Sequence, residues 1–102
     1  MDIEQDIEQE IVTKGKVAKR VTPAMLDSEI LAVQYHVFAG TYLTVCCLTL
    51  QNGFNVIGES ACASPENFDA GIGEKIARNN AREKIWPLLG FRLKDQLQLG
   101  ES

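Results

Sequence analysis

The pair Asn52-Gly53 lies between two apolar, β-branched runs and limits what this chain can fold into more than any other feature. The runs are Tyr42-Leu43-Thr44-Val45-Cys46-Cys47-Leu48-Thr49-Leu50-Gln51 and Phe54-Asn55-Val56-Ile57-Gly58-Glu59-Ser60-Ala61-Cys62. A type I′ turn needs positive φ at both central residues, and Asn followed by Gly tolerates that best, so the stretch reads as a β-hairpin with a two-residue loop. Such a loop sets Leu48 opposite Ile57, Cys46 opposite Glu59 and Val45 opposite Ser60. Side-chain alternation then places Tyr42, Thr44, Cys46, Leu48, Leu50, Ile57 and Glu59 on one face. Leu43, Val45, Cys47, Thr49, Phe54, Val56 and Ser60 fall on the other. Both faces are partly apolar, and a lone two-stranded ribbon is barely stable, so something must cover at least one side. The best candidate is the helix that starts near Phe68.

The rest of the chain supplies partners for that hairpin. Thr22-Pro23 has the residue types of an N-cap and a first helical position. With Leu26, Ile30 and Val33 as its apolar stripe, it predicts a helix over about 22–33. Gln34-Tyr35-His36-Val37-Phe38 reads as a strand, and Ala39-Gly40-Thr41 as a hairpin loop with Gly supplying positive φ. Three antiparallel strands follow, over about 34–38, 42–51 and 54–61. Asn67 or Asp69 can cap a helix over about 69–86. In it Gly73, Ala77 and Ala81 recur every four residues, a smooth stripe that lets a helix lie close on a sheet. Trp86-Pro87 marks its end, because the residue before Pro avoids the α region. Leu88-Leu89-Gly90 turns the chain, and Phe91 to Leu99 forms a short C-terminal helix, although Leu89, Phe91 and Leu93 also alternate as in an edge strand. The expected fold is α+β with two layers: an N-terminal helix, a three-stranded antiparallel meander, a long helix packed on the sheet and a short C-terminal helix. Three strands leave two open edges, a reason to expect a homo-oligomer.

Residues 1–21 read as a separate arm before a single domain over 22–99. Asp2-Ile3-Glu4-Gln5 is repeated as Asp6-Ile7-Glu8-Gln9, with Ile3, Ile7 and Ile11 along one helical face. Lys14, Lys16, Lys19 and Arg20 follow. The arm is either a solvated, frayed segment or a helix that docks on a partner or a second copy. At 102 residues the chain buries roughly two thirds of its unfolded surface, enough for a core without disulfides or metal. The formal net charge of −4 argues against nucleic acid or an anionic membrane as partner, since both call for a basic surface. No stretch approaches the apolar length of a membrane span, and Asp2-Ile3-Glu4 is not the start of a secretory signal. Three cysteines with no framework spacing fit a reducing cytosol.

Candidate chemistry is sparse. His36 is the single histidine and lacks a flanking nucleophile motif. The cysteines match no zinc spacing and read as small core residues. Gly71-Ile72-Gly73 lacks the third glycine and the parallel strand of a dinucleotide site, so close helix packing explains it as well. Glu59 and Ser60, with Asn79 and Asn80, are the polar groups expected to face one another across the two layers. They form either a satisfied core network or part of a ligand pocket. No catalytic residue, metal or cofactor is expected.

Taken together, Gln34 to Phe38, Thr44 to Leu50, Asn52-Gly53-Phe54, Gly58 to Cys62, Asn67-Phe68-Asp69, Ile76 to Arg78, Asn80-Ala81 and Ile85 to Leu88 follow in an order that resembles a family of small tailed-phage proteins, the gp-forty-nine / gene-sixty-six family. The resemblance spans residues 22–97, leaves the N-terminal arm outside, and departs from the family pattern at Leu89-Gly90-Phe91. It implies a phage or prophage product in the bacterial host cytoplasm, and it carries over no catalytic residue. Two readings follow. In the first, the chain is a non-enzymatic accessory protein that binds and modulates a host protein, such as a defence factor, through an aromatic patch of Tyr35, His36, Phe38 and Tyr42. In the second, it sequesters a small ligand such as a nucleotide signal, in a subunit-boundary pocket using Glu59, Ser60, Arg78, Asn79, Asn80 and Arg82.

Overall fold

The computed structural model describes residues 2–15 and 18–100 and shows the expected two-layer α+β architecture. Helices α1 (Ile3–Thr13) and α2 (Pro23–Glu29) precede strands β1 (Ile30–Val37), β2 (Leu43–Leu50) and β3 (Asn55–Ala61). A single 3-10 turn (Pro65–Asn67) leads to α3 (Ala70–Glu83) and α4 (Ile85–Gln98). The sheet is an antiparallel meander in the order β1-β2-β3. The shortest dimension of the Cα trace is 17 Å, room for one helical layer on one sheet and no more.

The core lies where α3 crosses β2 and β3. Along β2 the residues alternate strictly, with Thr44, Cys46, Leu48 and Leu50 buried and Leu43, Val45, Cys47 and Thr49 half-buried. Against the buried set lie Gly73, Ala77 and Ala81 of α3, then Ile85 and Leu89 of α4, one stripe at four-residue spacing that continues through the junction of the two helices. The small residues allow a very close approach. A Cβ on Gly58 of β3 would lie 2.1 Å from the Ala81 nitrogen and 2.3 Å from the Ala77 carbonyl oxygen, so only glycine fits there.

Three boundaries differ from the sequence expectation. The first helix stops at Glu29, and the strand begins at Ile30 rather than Gln34. Ile30 to Val33 carry helix-compatible spacing, but pairing with Leu50, Thr49 and Leu48 captures them, and Gln51 N–H donates to Glu29 C=O at the entry. The hairpin loop has three residues, not two. Leu50 N–H donates to Phe54 C=O, and Gly53 alone takes positive φ (89°), with Asn52 Oδ1 accepting from Phe54 N–H. This is the longer loop in which a type I turn is followed by a left-handed glycine. The register therefore pairs Leu48 with Val56, Cys46 with Gly58 and Thr44 with Ser60. The expected faces of the third strand are reversed: Val56 and Gly58 lie under the helix, while Ile57 and Glu59 are exposed on the other side.

The third difference concerns Pro87, which does not end the helical segment. It sits in the first turn of α4, where a backbone N–H has no intrahelical acceptor to lose. Its ring excludes the carbonyl four residues earlier, at Glu83, and Glu83 is the last residue of α3. The result is one long bent helical segment, with Gly90 inside α4 rather than in a turn.

Candidate functional site

The sheet has one covered face and one open face. Ala32, Gln34, His36 and Phe38 share the open face with Leu43, Val45, Cys47 and Thr49, and with Ile57, Glu59 and Ala61. Ile57 is 50% exposed and Phe38 48%, while Val45 and Cys47 in the central strand are half-buried only by their neighbours. The His36 ring stands edge-on to Phe38, with centroids 4.6 Å apart. On the covered side α3 packs mainly on β2 and β3, and Val33, Tyr35 and Val37 of β1 remain 37–42% exposed beside the helix.

The four aromatic candidates are thus divided. His36 and Phe38 belong to the open face. Tyr35 points to the helical side, where burial raises its phenol pKa, helped by the Cys46 thiol and opposed by Arg78. Tyr42 packs on Phe68, with centroids 5.2 Å apart. Together with Ser60, Cys62, Ile72 and Ile76 this pair lines a cavity of 170 Å³ at the start of α3. Phe68, Ile72 and Ile76 were not among the candidate site residues. Their spacing around an N-cap is the cue that would have found them.

The polar candidates also separate. Asn80 Nδ2 donates to the Glu59 backbone C=O at 2.9 Å, the one contact that joins the two layers as expected. The Glu59 side chain is on the open face and Ser60 faces the cavity, because the register moved them to opposite sides. Asn79 is exposed. Arg78 lies near Tyr35 and Cys46, two groups on which it acts electrostatically. Arg82 is already engaged: its guanidinium bonds Glu4 at 2.7 Å and Asp27 at 2.8 Å with only 11% of the side chain exposed. These two acids push its pKa still further above the ordinary arginine value.

Those bonds fasten the N-terminal arm. Glu4 and Glu8 of α1 pair with Arg82 and Arg20, and Ile7 and Ile11 share a hollow with Val21 and Trp86. Among the described residues the arm is a helix docked on its own domain, capped by Asp2, whose carboxylate accepts from Gln5 N–H. Lys16 lies outside the described residues.

Two chemistries find little to stand on. The Gly71-Ile72-Gly73 helix start is occupied by its own cap, since the Asp69 carboxylate accepts from Ile72 N–H at 2.9 Å. An incoming anion would meet that negative charge. Among the described residues no group of three His, Cys, Asp or Glu side chains is placed to hold a metal. The three thiols are free and far apart in environment. Cys46 is in the core, where burial pushes its pKa up. Cys47 is on the open face, and Cys62 beside the cavity donates to Ser64 C=O at 3.1 Å.

The fold and its surfaces define a small two-layer domain with one sheet face left bare. The sequence model of the phage protein family described as N4 Gp49/phage Sf6 gene 66 matches residues 21–97, and the chain belongs to that family. The match begins where the docked arm ends and closes one residue before the end of α4. No curated protein and no solved structure matches the chain. No helix among the described residues is long and apolar enough to cross a membrane.

Proposed function

We propose that this phage protein is a non-enzymatic binding module of the bacterial host cytoplasm, which acts by docking the open face of its sheet on a host protein. The observation that carries this reading is the bare face itself. Phe38, Val45, Cys47 and Ile57, with the His36 ring against Phe38, form a largely apolar surface that no layer of the chain covers. Contiguous exposed apolar surface of this kind marks protein interaction sites. Binding without catalysis fits the setting of His36, which is exposed on a flat face with its ring against Phe38.

The small-ligand reading has less support. The cavity at Tyr42 and Ser60 is 170 Å³, against roughly 300–1,000 Å³ for ordinary ligand pockets. The 510 Å³ hollow between α1 and α2 is lined by the acids Glu4, Glu8 and Asp27 and by none of the candidate ligand residues. Of the two candidate cations, Arg78 and Arg82, the second is held by Glu4 and Asp27.

The test is capture from a host lysate with tagged chain, followed by native mass spectrometry, for wild type and for Ile57→Lys. Ile57 is half-exposed, so the substitution leaves the core intact. The expected outcome is a host protein in stoichiometric amount with wild type and its loss with Ile57→Lys. Equal retention by both would refute docking through the open face.

A further inference from the structure

The two edges of the sheet are treated differently. At the β3 edge, Glu59 presents a charge, Asn80 fills the outward Glu59 carbonyl, and α3 lies close overhead. Charges and covering elements are how edge strands avoid pairing with another chain. The β1 edge has none of these. From Ile30 to Tyr42 the sequence contains no Asp, Glu, Lys, Arg or Pro. Every residue from Leu31 to Val37 is exposed, and the one irregularity, between Ile30 and Ala32, leaves the stretch from Ala32 onward regular.

The hydrogen-bond pattern shows which groups that edge offers. Leu50 N–H bonds Phe54 C=O, and Cys62 N–H bonds Tyr42 C=O, so the even-numbered residues of β2 turn their backbone toward β3. The odd-numbered residues Val45, Cys47 and Thr49 turn toward β1, where they meet His36, Gln34 and Ala32. The N–H and C=O groups of Val33, Tyr35 and Val37 therefore point out of the sheet. Their side chains are the same three left half-exposed beside α3.

We propose that β1 pairs with β1 of a second copy of this chain, antiparallel about a two-fold axis at Tyr35, joining two sheets into one of six strands. This register sets Val33 opposite the partner's Val37 and satisfies all three outward residues on each side. It also sets Gln34 opposite the partner's His36, matching the two polar side chains of the strand, and small Ala32 opposite the partner's large Phe38. The strand is thus complementary to itself. Charge points the same way. The chain as a whole carries −4 and repels its own copy, but this edge is uncharged. The flank of α3 that acts on Tyr35 carries one acid and one base, Glu74 and Arg78. The pairing places the two open faces side by side as one broader surface, and it stands whether or not a host protein docks there.

The test is amide hydrogen exchange by NMR together with light scattering, on wild type and on Tyr35→Lys, at about 0.1 mM, well above the Kd of a specific interface. Wild type is expected as a dimer of 11.3 kDa chains. Its amides at Val33, Tyr35 and Val37 should exchange about tenfold or more slowly than in the variant. Those of Gln34 and His36 should be equally protected in both, which also reports that the variant is folded. A wild-type monomer overturns the proposal, even if a host strand later protects the same amides. So does a dimer that survives Tyr35→Lys with the three odd-numbered amides exchanging freely.

Discussion

Gly58 and Thr44 lie under the same helix and should respond to substitution with opposite signs. Gly58→Ala puts a methyl group into the Ala81 and Ala77 backbone, which a rigid helix cannot yield. Overpacking of this kind costs about 3 kcal/mol. That corresponds to a fall in Tm of roughly 12–20 °C for a domain of this size, read by thermal unfolding. Thr44 is 1% exposed, and among the described residues its hydroxyl has no hydrogen-bond partner. Thr44→Val keeps the branched shape and removes the unpaired group, so it should stabilise by about 1 kcal/mol. An unchanged or lower Tm would show that the hydroxyl is satisfied in solution. The stripe of Gly73, Ala77 and Ala81 was legible in the sequence because four-residue spacing of small residues has few other uses. Its counterpart on the sheet, Gly58, was not, because a strand glycine reads equally as a bulge or a weak point until the register is known.

At the scale of elements, the hairpin shows where sequence reasoning stopped. Asn-Gly serves two loops: a two-residue type I′ turn and a three-residue loop with only the glycine left-handed. Local chemistry does not separate them. Burial does, since the two-residue loop would have placed Glu59 on the face with Cys46 and Leu48, under the helix, where a charge costs heavily. Asking which register hides the glycine and exposes the acid would have found it. The arm was less legible, because the bond that fastens it to α3 joins residues 78 positions apart. Arg82 holds α1 and α2 to the end of α3, so Arg82→Gln should release the arm. The expected outcome is a loss of about 2 kcal/mol in urea unfolding. Helical circular dichroism should fall by the share of α1, and trypsin should cleave faster at Lys14 and Lys19. A variant that keeps full helicity and protease resistance would mean that Ile7 and Ile11 alone seat the helix.

Over the whole molecule, the two-layer plan decides what the protein presents. One helical segment covers two strands of three, which leaves a bare sheet face and a bare edge. The fold class was legible because turn residues and periodicity specify elements directly. The working surface was only half legible. Tyr35, His36, Phe38 and Tyr42 are close in sequence, but strand alternation and the hairpin turn send them to three different surroundings. The native cysteines mark those surroundings without any substitution: Cys47 on the open face, Cys62 beside the cavity and Cys46 in the core. The most direct measurement is therefore the rate of thiol alkylation at each cysteine, read by peptide mass spectrometry, for the folded chain alone and in host extract. Docking through the open face predicts that extract slows Cys47 and leaves Cys62 unchanged, with Cys46 unreactive throughout. Protection of Cys62 with Cys47 still reacting freely, or no change at either, would contradict it.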